Sequence, residues 1–425
     1  MVFVAGMSFA QSGKFNPPDG KEIYIPRDLA TNDFTDPNSK WSYARMATTP
    51  NIVVFWEKPF GDDLSKAPDL EGHNMKVDIN NLLYKLEEFY SFFRDTLSFI
   101  RPHSKAEKYR MMVMLNYSLE GTAYGGDYDG QIGALWISPN RVQDEKLNCI
   151  AHELGHSFQS QIGCDGEGVS WGGGGIFEMA SQWMLWQVNP EWVTDENYHW
   201  EAFKKLTHKA FLDMENIYHS PYVLEYWGEK RGRQVIADLF RMGKKGEDPA
   251  QTYMRMFKLN ESQMADEMFD CYRRLVTFDF KRVKNVCAKY ANQISSPVKR
   301  DGKGTVEPVD APETYGFNVI PVKLPKPGKS VTVTFNGVTE KDGVVDTNAG
   351  WRYGLVAVKS NGEPEYGQVY SLPQNKIKFK YDKKTRLRKL WLVVMGAPAK
   401  YESMKWNGRD EKKANINFPY TVTVK

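Results

Sequence analysis

Apolar positions recur with two different periods along the N-terminal part of this chain and with only one along the C-terminal part. The run NIVVFWEKPF from Asn51 reads as a strand with a Pro-Phe-Gly exit. From Asp78, the segment DINNLLYKLEEFYSFFRDTLSFI sets Leu82, Leu83, Leu86, Phe89, Tyr90, Phe93 and Leu97 at helical spacing, which predicts a long amphipathic helix. YRMMVMLNY from Tyr109 reads as a second buried strand, and GALWISP from Gly133 as a short strand stopped by Pro139. A helix follows, with Asp144 as its expected N-cap. The Gly-rich stretch GCDGEGVSWGGGGIF separates it from a second helix, EMASQWMLWQV, which ends at Asn189-Pro190. Further helical patterns continue to about Ser296.

The rhythm then changes. SSPVKRDGKGTVEPVDAPETYG is rich in Pro, Gly and charge, so 297–312 is expected to be a linker. Alternating runs follow: KSVTVTFNG, RYGLVAVKS, KIKFKY, RKLWLVVMG and YTVTVK, separated by Gly, Asn and Pro turns. Period-two alternation at that spacing predicts a β-sandwich over 313–425, after a domain of mixed helices and strands over 13–296. The expected fold class is α+β.

With 425 residues, the chain is long for a single core, in keeping with that division. A net charge of +3, spread along the chain, gives no basic face for nucleic acid. No apolar run is long enough to span a bilayer, so membrane insertion is not expected. The start, MVFVAGMSFAQSGK, has an apolar run ending in Ser8-Phe9-Ala10, a small-x-small site, so residues 1–12 read as the remnant of a signal peptide. The location expected from it is secreted or periplasmic. The four cysteines, Cys149, Cys164, Cys271 and Cys287, lack CxxC pairing and read as buried thiols or disulfides.

The candidate chemistry lies in CIAHELGHSFQSQIG. Residues four apart on an α-helix differ by about 40° in direction, so His152 and His156 project from one face and can bind one Zn²⁺. Glu153 lies within reach of a water at that metal, as a general base. A catalytic zinc also needs a third protein ligand. Glu178, at the start of the next helix, would be delivered by a helix running antiparallel to the first, and Asp165 and Glu167 in the loop compete with it. Gln159, three residues after His156, shares the histidine face. The Trp-rich stretch from Trp183 to Trp200 reads as core, and His199 as a surface residue of a helical pattern.

HELGHSFQ followed by a Glu one helix later resembles the gluzincin metallopeptidases. The form H-E-x-G-H-x-x-Q, with the Glu some twenty residues on, is most similar to their enhancin-like, mucin-targeting branch. The similarity extends to uncharacterised secreted bacterial zincin-like proteins with a C-terminal β-domain. It covers roughly residues 110–230. It implies a zincin-like catalytic domain with Zn²⁺ on His152, His156 and Glu178, and Glu153 as the base. It also implies that the strand GALWISP is the edge that receives substrate, with Trp136 on its other face, and that a Tyr or His after the Glu helix steadies the oxyanion. NIYHSPYVLEYW offers His219, Tyr222 and Tyr226 for that work, Tyr222 first. Many gluzincins have an Asp four residues after the ligand Glu to orient a zinc histidine, and here that position is Gln182. The expected activity is zinc-dependent endopeptidase cleavage, with a glycoprotein substrate implied by the resemblance alone. The alternative is a secreted glycan- or protein-binding module on a zincin scaffold.

Overall fold

The computed structural model describes residues 20–168, 171, 175–302, 304–341, 344–404 and 416–425. The expected signal-peptide remnant, 1–12, lies outside the described residues. The chain divides into two compact units. The first takes in the described residues to 168 with Gln187–Asn189 and Gln234–Arg241, and the second takes in the rest.

In the first unit the elements run β1 (Met46–Thr48), β2 (Ile52–Trp56), α1 (Ile79–Asp95), α2 (Lys105–Lys108), β3 (Met111–Leu115), β4 (Ala123–Tyr128), β5 (Ile132–Ile137) and α3 (Asn148–Cys164). Among the described residues the strands form one sheet in the order β1-β2-β3-β5-β4. β2 pairs in parallel with β3, and β3 in parallel with β5, while β1 and β4 add antiparallel at the two edges. β2 and β3 are buried at every position, which is why they read as unbroken apolar runs. β4 is the exception in composition. Its sequence AYGGDY carries no apolar alternation.

Asp78 caps α1 by accepting from the N–H groups of Asn80 and Asn81. The apolar stripe of α1 is buried, and its Tyr90 and Phe93 meet Phe158 of α3 edge to face, at 5.1 and 5.3 Å between ring centroids. α3 begins later than expected. Leu147, in the left-handed region at φ 53°, precedes Asn148, and Asp144 serves instead as the carbonyl that accepts from the Leu147 N–H.

The second unit holds helices α4 (Gly175–Val188, as far as Trp186), α5 (Trp192–Asp195), α6 (Asn197–Leu206) and α7 (Tyr222–Arg231). After α8 (Val235–Met242), whose residues to Arg241 belong to the first unit, come α9 (Pro249–Phe257) and α10 (Glu261–Leu275). The strands that follow are β6 (Val298–Arg300), β7 (Thr305–Pro308), β8 (Phe317–Pro321), β9 (Ser330–Gly337), β10 (Glu340–Lys341), β11 (Val344–Val345), β12 (Trp351–Lys359), β13 (Pro364–Tyr366), β14 (Gln374–Lys380), β15 (Leu387–Gly396) and β16 (Tyr420–Val424). They make a sheet in the order β13-β12-β15-β8, another in the order β14-β9-β16-β7-β6, and the hairpin β10-β11. All these pairings are antiparallel.

Alternate residues of both larger sheets share one apolar cluster that includes Val333, Phe335, Trp351, Tyr353, Leu392 and Val422. β6 and β7 lie inside 297–312, the stretch whose composition reads as a linker. The helical part also bonds directly to the strand region, since the Phe317 N–H donates to the Thr207 carbonyl at 2.7 Å. Helices and several sheets together give the chain a mixed α and β architecture. Among the described residues no helix is long and apolar enough to cross a membrane.

Candidate metal centre

α3 lies against β4 and β5 more closely than side chains allow. A Cβ at Gly125 would stand 1.8 Å from the Glu153 carbonyl oxygen, and one at Gly133 would stand 2.8 Å from the Ser157 carbonyl oxygen. The two carbonyls are one helical turn apart, so the glycines form a track on which that turn of α3 rests. Side chains of α3 fasten it there. Ser157 Oγ donates to the Ala134 carbonyl at 2.6 Å, and Gln161 Oε1 accepts from the Gly133 N–H at 2.9 Å.

The turn so held carries His152, which is buried, with Glu153 and His156, which are half-buried. Their ligand atoms lie within 4.8 Å of one another. The imidazole rings stand nearly perpendicular, at 81°, with the two Nε2 atoms 3.2 Å apart. A zinc ion about 2.0–2.1 Å from each of two nitrogens 3.2 Å apart would subtend an angle of about 100°, close to tetrahedral. The donor set therefore fits zinc in type and in spacing.

His156 Nδ1 lies 3.2 Å from Gln159 Oε1. An amide oxygen only accepts, so Nδ1 carries the proton and Nε2 presents its lone pair. Gln159 thus sets the tautomer that a metal requires. One oxygen of Glu153, Oε2, accepts from the Gly125 N–H at 3.0 Å.

Residues 16–425 match a family described only as a family of unknown function, DUF6055. The chain belongs to this family. No curated protein matches it. Among solved structures it is similar to the catalytic module of the metalloprotease ZmpA from Clostridium perfringens, at 13% identity and a TM-score of 0.34, over 86% of this chain and 70% of that one. A functionally unknown conserved protein from Bacillus anthracis str. Ames gives 12% identity and a TM-score of 0.34, over 88% and 75%. A ZmpB structure from Clostridium perfringens, with two carbohydrate-binding modules and a catalytic domain, gives 14% and 0.31, over 83% and 36%.

In this DUF6055 chain the other expected site residues fall as follows. Glu178 is half-buried in the first turn of α4. Its loop competitors are already engaged. Glu167 accepts from Arg241 Nε at 2.7 Å, and Asp165 accepts from the Lys105 N–H at 2.9 Å. Gln182, in α4, places its amide nitrogen 3.0 Å from both His199 Nε2 and the Tyr218 carbonyl. His199 Nδ1 lies 2.7 Å from His219 Nδ1. Burial, and then the neighbouring His199, push His219 down to about 4. His199 is therefore an interior residue rather than a surface one.

Two expectations are corrected. GALWISP is β5, and β4 covers its free side, so the edge strand is β4. Residues two apart share a face, so Gly125 and Gly133 face α3 while Tyr124 and Trp136 face the other way. There Trp136 stacks on the exposed Tyr124 ring at 4.6 Å and 12°, away from the histidines. Tyr222, expected to steady an oxyanion, is only 1% exposed and packs among Trp186, Trp200, Phe203 and Phe278. A hydroxyl sealed in that cluster does not meet a substrate carbonyl. Burial raises its pKa well above the usual tyrosine value, and among the described residues it has no hydrogen-bond partner. The helix α7 is buried on nearly every side, which explains why its sequence did not mark Tyr222 as core.

The Gly125 contact was not legible as a site feature, although the adjacent glycines of AYGGDY are a signal for close backbone approach. A change at Gln159 tests the tautomer argument. Gln159→Leu removes the acceptor at His156 Nδ1, and zinc affinity should fall about 10–100-fold. Competition with a chromophoric chelator measures it. Affinity equal to that of the wild type refutes the assignment.

Proposed function

We propose that this protein is a secreted or periplasmic zinc-dependent endopeptidase of the gluzincin type, in which His152, His156 and Glu178 hold the metal. The observation that carries the reading is the pair of Nε2 atoms 3.2 Å apart with the Glu153 carboxylate in the same cluster. Zinc bound there supplies a Lewis acid that makes water a nucleophile near neutral pH. The chain's own residues do the rest. His152 and His156 orient their Nε2 lone pairs, Gln159 holds the His156 tautomer, and Glu153 accepts the proton of the attacking water and returns it to the leaving amine. Glu178 is proposed as third ligand from its place at the start of the helix after HELGH, which the resemblance implies.

The enhancin-like branch, and with it a glycoprotein substrate, belongs to the same proposal, on the form HELGHSFQ and the later Glu. So does a C-terminal β-sandwich, supported by the apolar cluster that both larger sheets share. The test is cleavage of casein and of a mucin glycopeptide, followed by mass spectrometry. Cleavage should disappear on treatment with a chelator and return on adding zinc in equal amount. Cleavage that survives removal of the metal, or none of either substrate by zinc-loaded protein, rejects the proposal.

A further inference from the structure

Gly125 and Gly126 are adjacent on β4 and differ in what surrounds them. A Cβ at Gly126 would meet only the Trp136 ring, at an ordinary 3.5 Å. At Gly125 the same atom would stand 1.8 Å from the Glu153 carbonyl oxygen and 2.9 Å from the His156 Cβ. No flexible side-chain tip lies there to move aside, because the nearest obstacle is helix backbone. The lack of a side chain brings the strand down onto the turn between Glu153 and His156, and the Gly125 N–H then donates to Glu153 Oε2 at 3.0 Å.

An edge strand has N–H groups that its sheet leaves unused. On β4 one of these is spent on the carboxylate that serves as the base. We infer that Gly125 is a positioning residue, whose backbone N–H holds one oxygen of Glu153 and so fixes the orientation of the carboxylate that serves as the base. This rests on the hydrolase reading above. The atom that restrains the base is main chain of a strand, which moves less than a side-chain donor would. A glycine is the residue that fits between that strand and the helix.

Two measurements test the inference. In the zinc-loaded protein, Gly125→Ala should lower kcat by about 100-fold or more with KM changed less than about threefold, while Gly126→Ala stays within about twofold of wild type. Independently of activity, amide hydrogen exchange at residue 125 should be slow in the wild type and in Glu153→Gln, whose amide oxygen still accepts. It should quicken about 10-fold or more in Glu153→Ala. Packing alone would leave that rate unchanged across all three. Wild-type kcat in Gly125→Ala, or exchange in Glu153→Ala as slow as in the wild type, overturns the inference. If Gly125→Ala fails to fold, the exchange comparison decides alone. A protein that binds no zinc, or an active Glu153→Gln, would remove the hydrolase reading and leave the exchange pattern as it is.

Discussion

Glu153→Gln should leave zinc in place and abolish hydrolysis. The amide is nearly the size of the carboxylate, and its oxygen can still accept the Gly125 N–H that Glu153 accepts at 3.0 Å. His152, His156 and Gln159 keep their atoms and their mutual geometry. The amide cannot accept a proton from water at neutral pH, and removing a general base costs about 100- to 10,000-fold in turnover. Zinc content per chain and the rate on a cleaved peptide are the two quantities to measure together. Full zinc with turnover lost is the expected pair, and undiminished turnover would remove Glu153 as the base.

His156→Ala should do the opposite and empty the site. The substitution takes away one of two nitrogens 3.2 Å apart and strands Gln159, whose oxygen accepts from the same ring. A ligand that binds only the folded state stabilises it by RT ln(1 + [L]/Kd), about 2.7 kcal/mol at a hundred times Kd. Thermal unfolding of the wild type should therefore shift downward when a chelator strips the zinc, and the variant should unfold at the same temperature with and without chelator. The two variants separate proton transfer from metal binding. Stoichiometric zinc in His156→Ala would displace the centre from α3.

Where sequence reading succeeded, one physical rule dominated. β2 and β3 are buried on both faces and so appear as unbroken apolar runs, and the buried stripe of α1 repeats at helical spacing. His152, Glu153 and His156 were legible for the same reason, since one turn of helix fixes their relation whatever packs around it.

The features that escaped depend on tertiary contact. AYGGDY pairs with β5 and lies under α3 where the Glu153 carbonyl tolerates no Cβ at Gly125, which hydrophobic patterning does not register. VKR and TVEP become β6 and β7 through pairing with each other and with β16, although their own composition is that of a loop. Tyr222 carries a hydroxyl in a helix that is also rich in charge, and only its ring neighbours reveal that it is core. Gln182 and Gln159 are equally polar in the sequence. The fold joins Gln159 to His156 by a single helical turn and brings Gln182 of α4 to His199 of α6.

The place of β16 sets the order in which the chain can assemble. β16 lies between β9 and β7, and among the described residues each of those strands has one other neighbour in the sheet, β14 and β6 respectively. Until β16 arrives, the sheet therefore exists as two separate strand pairs with unsatisfied edges. Its pairing of Val422 with Val306 joins residues far apart in the sequence, so forming it carries the entropic cost of closing a long loop. Tyr420 and Val422 enter the shared apolar cluster in the same step. A chain in which β16 is unpaired would leave β7 and β9 open to pairing with other copies, so the yield of refolded protein is expected to fall as its concentration rises.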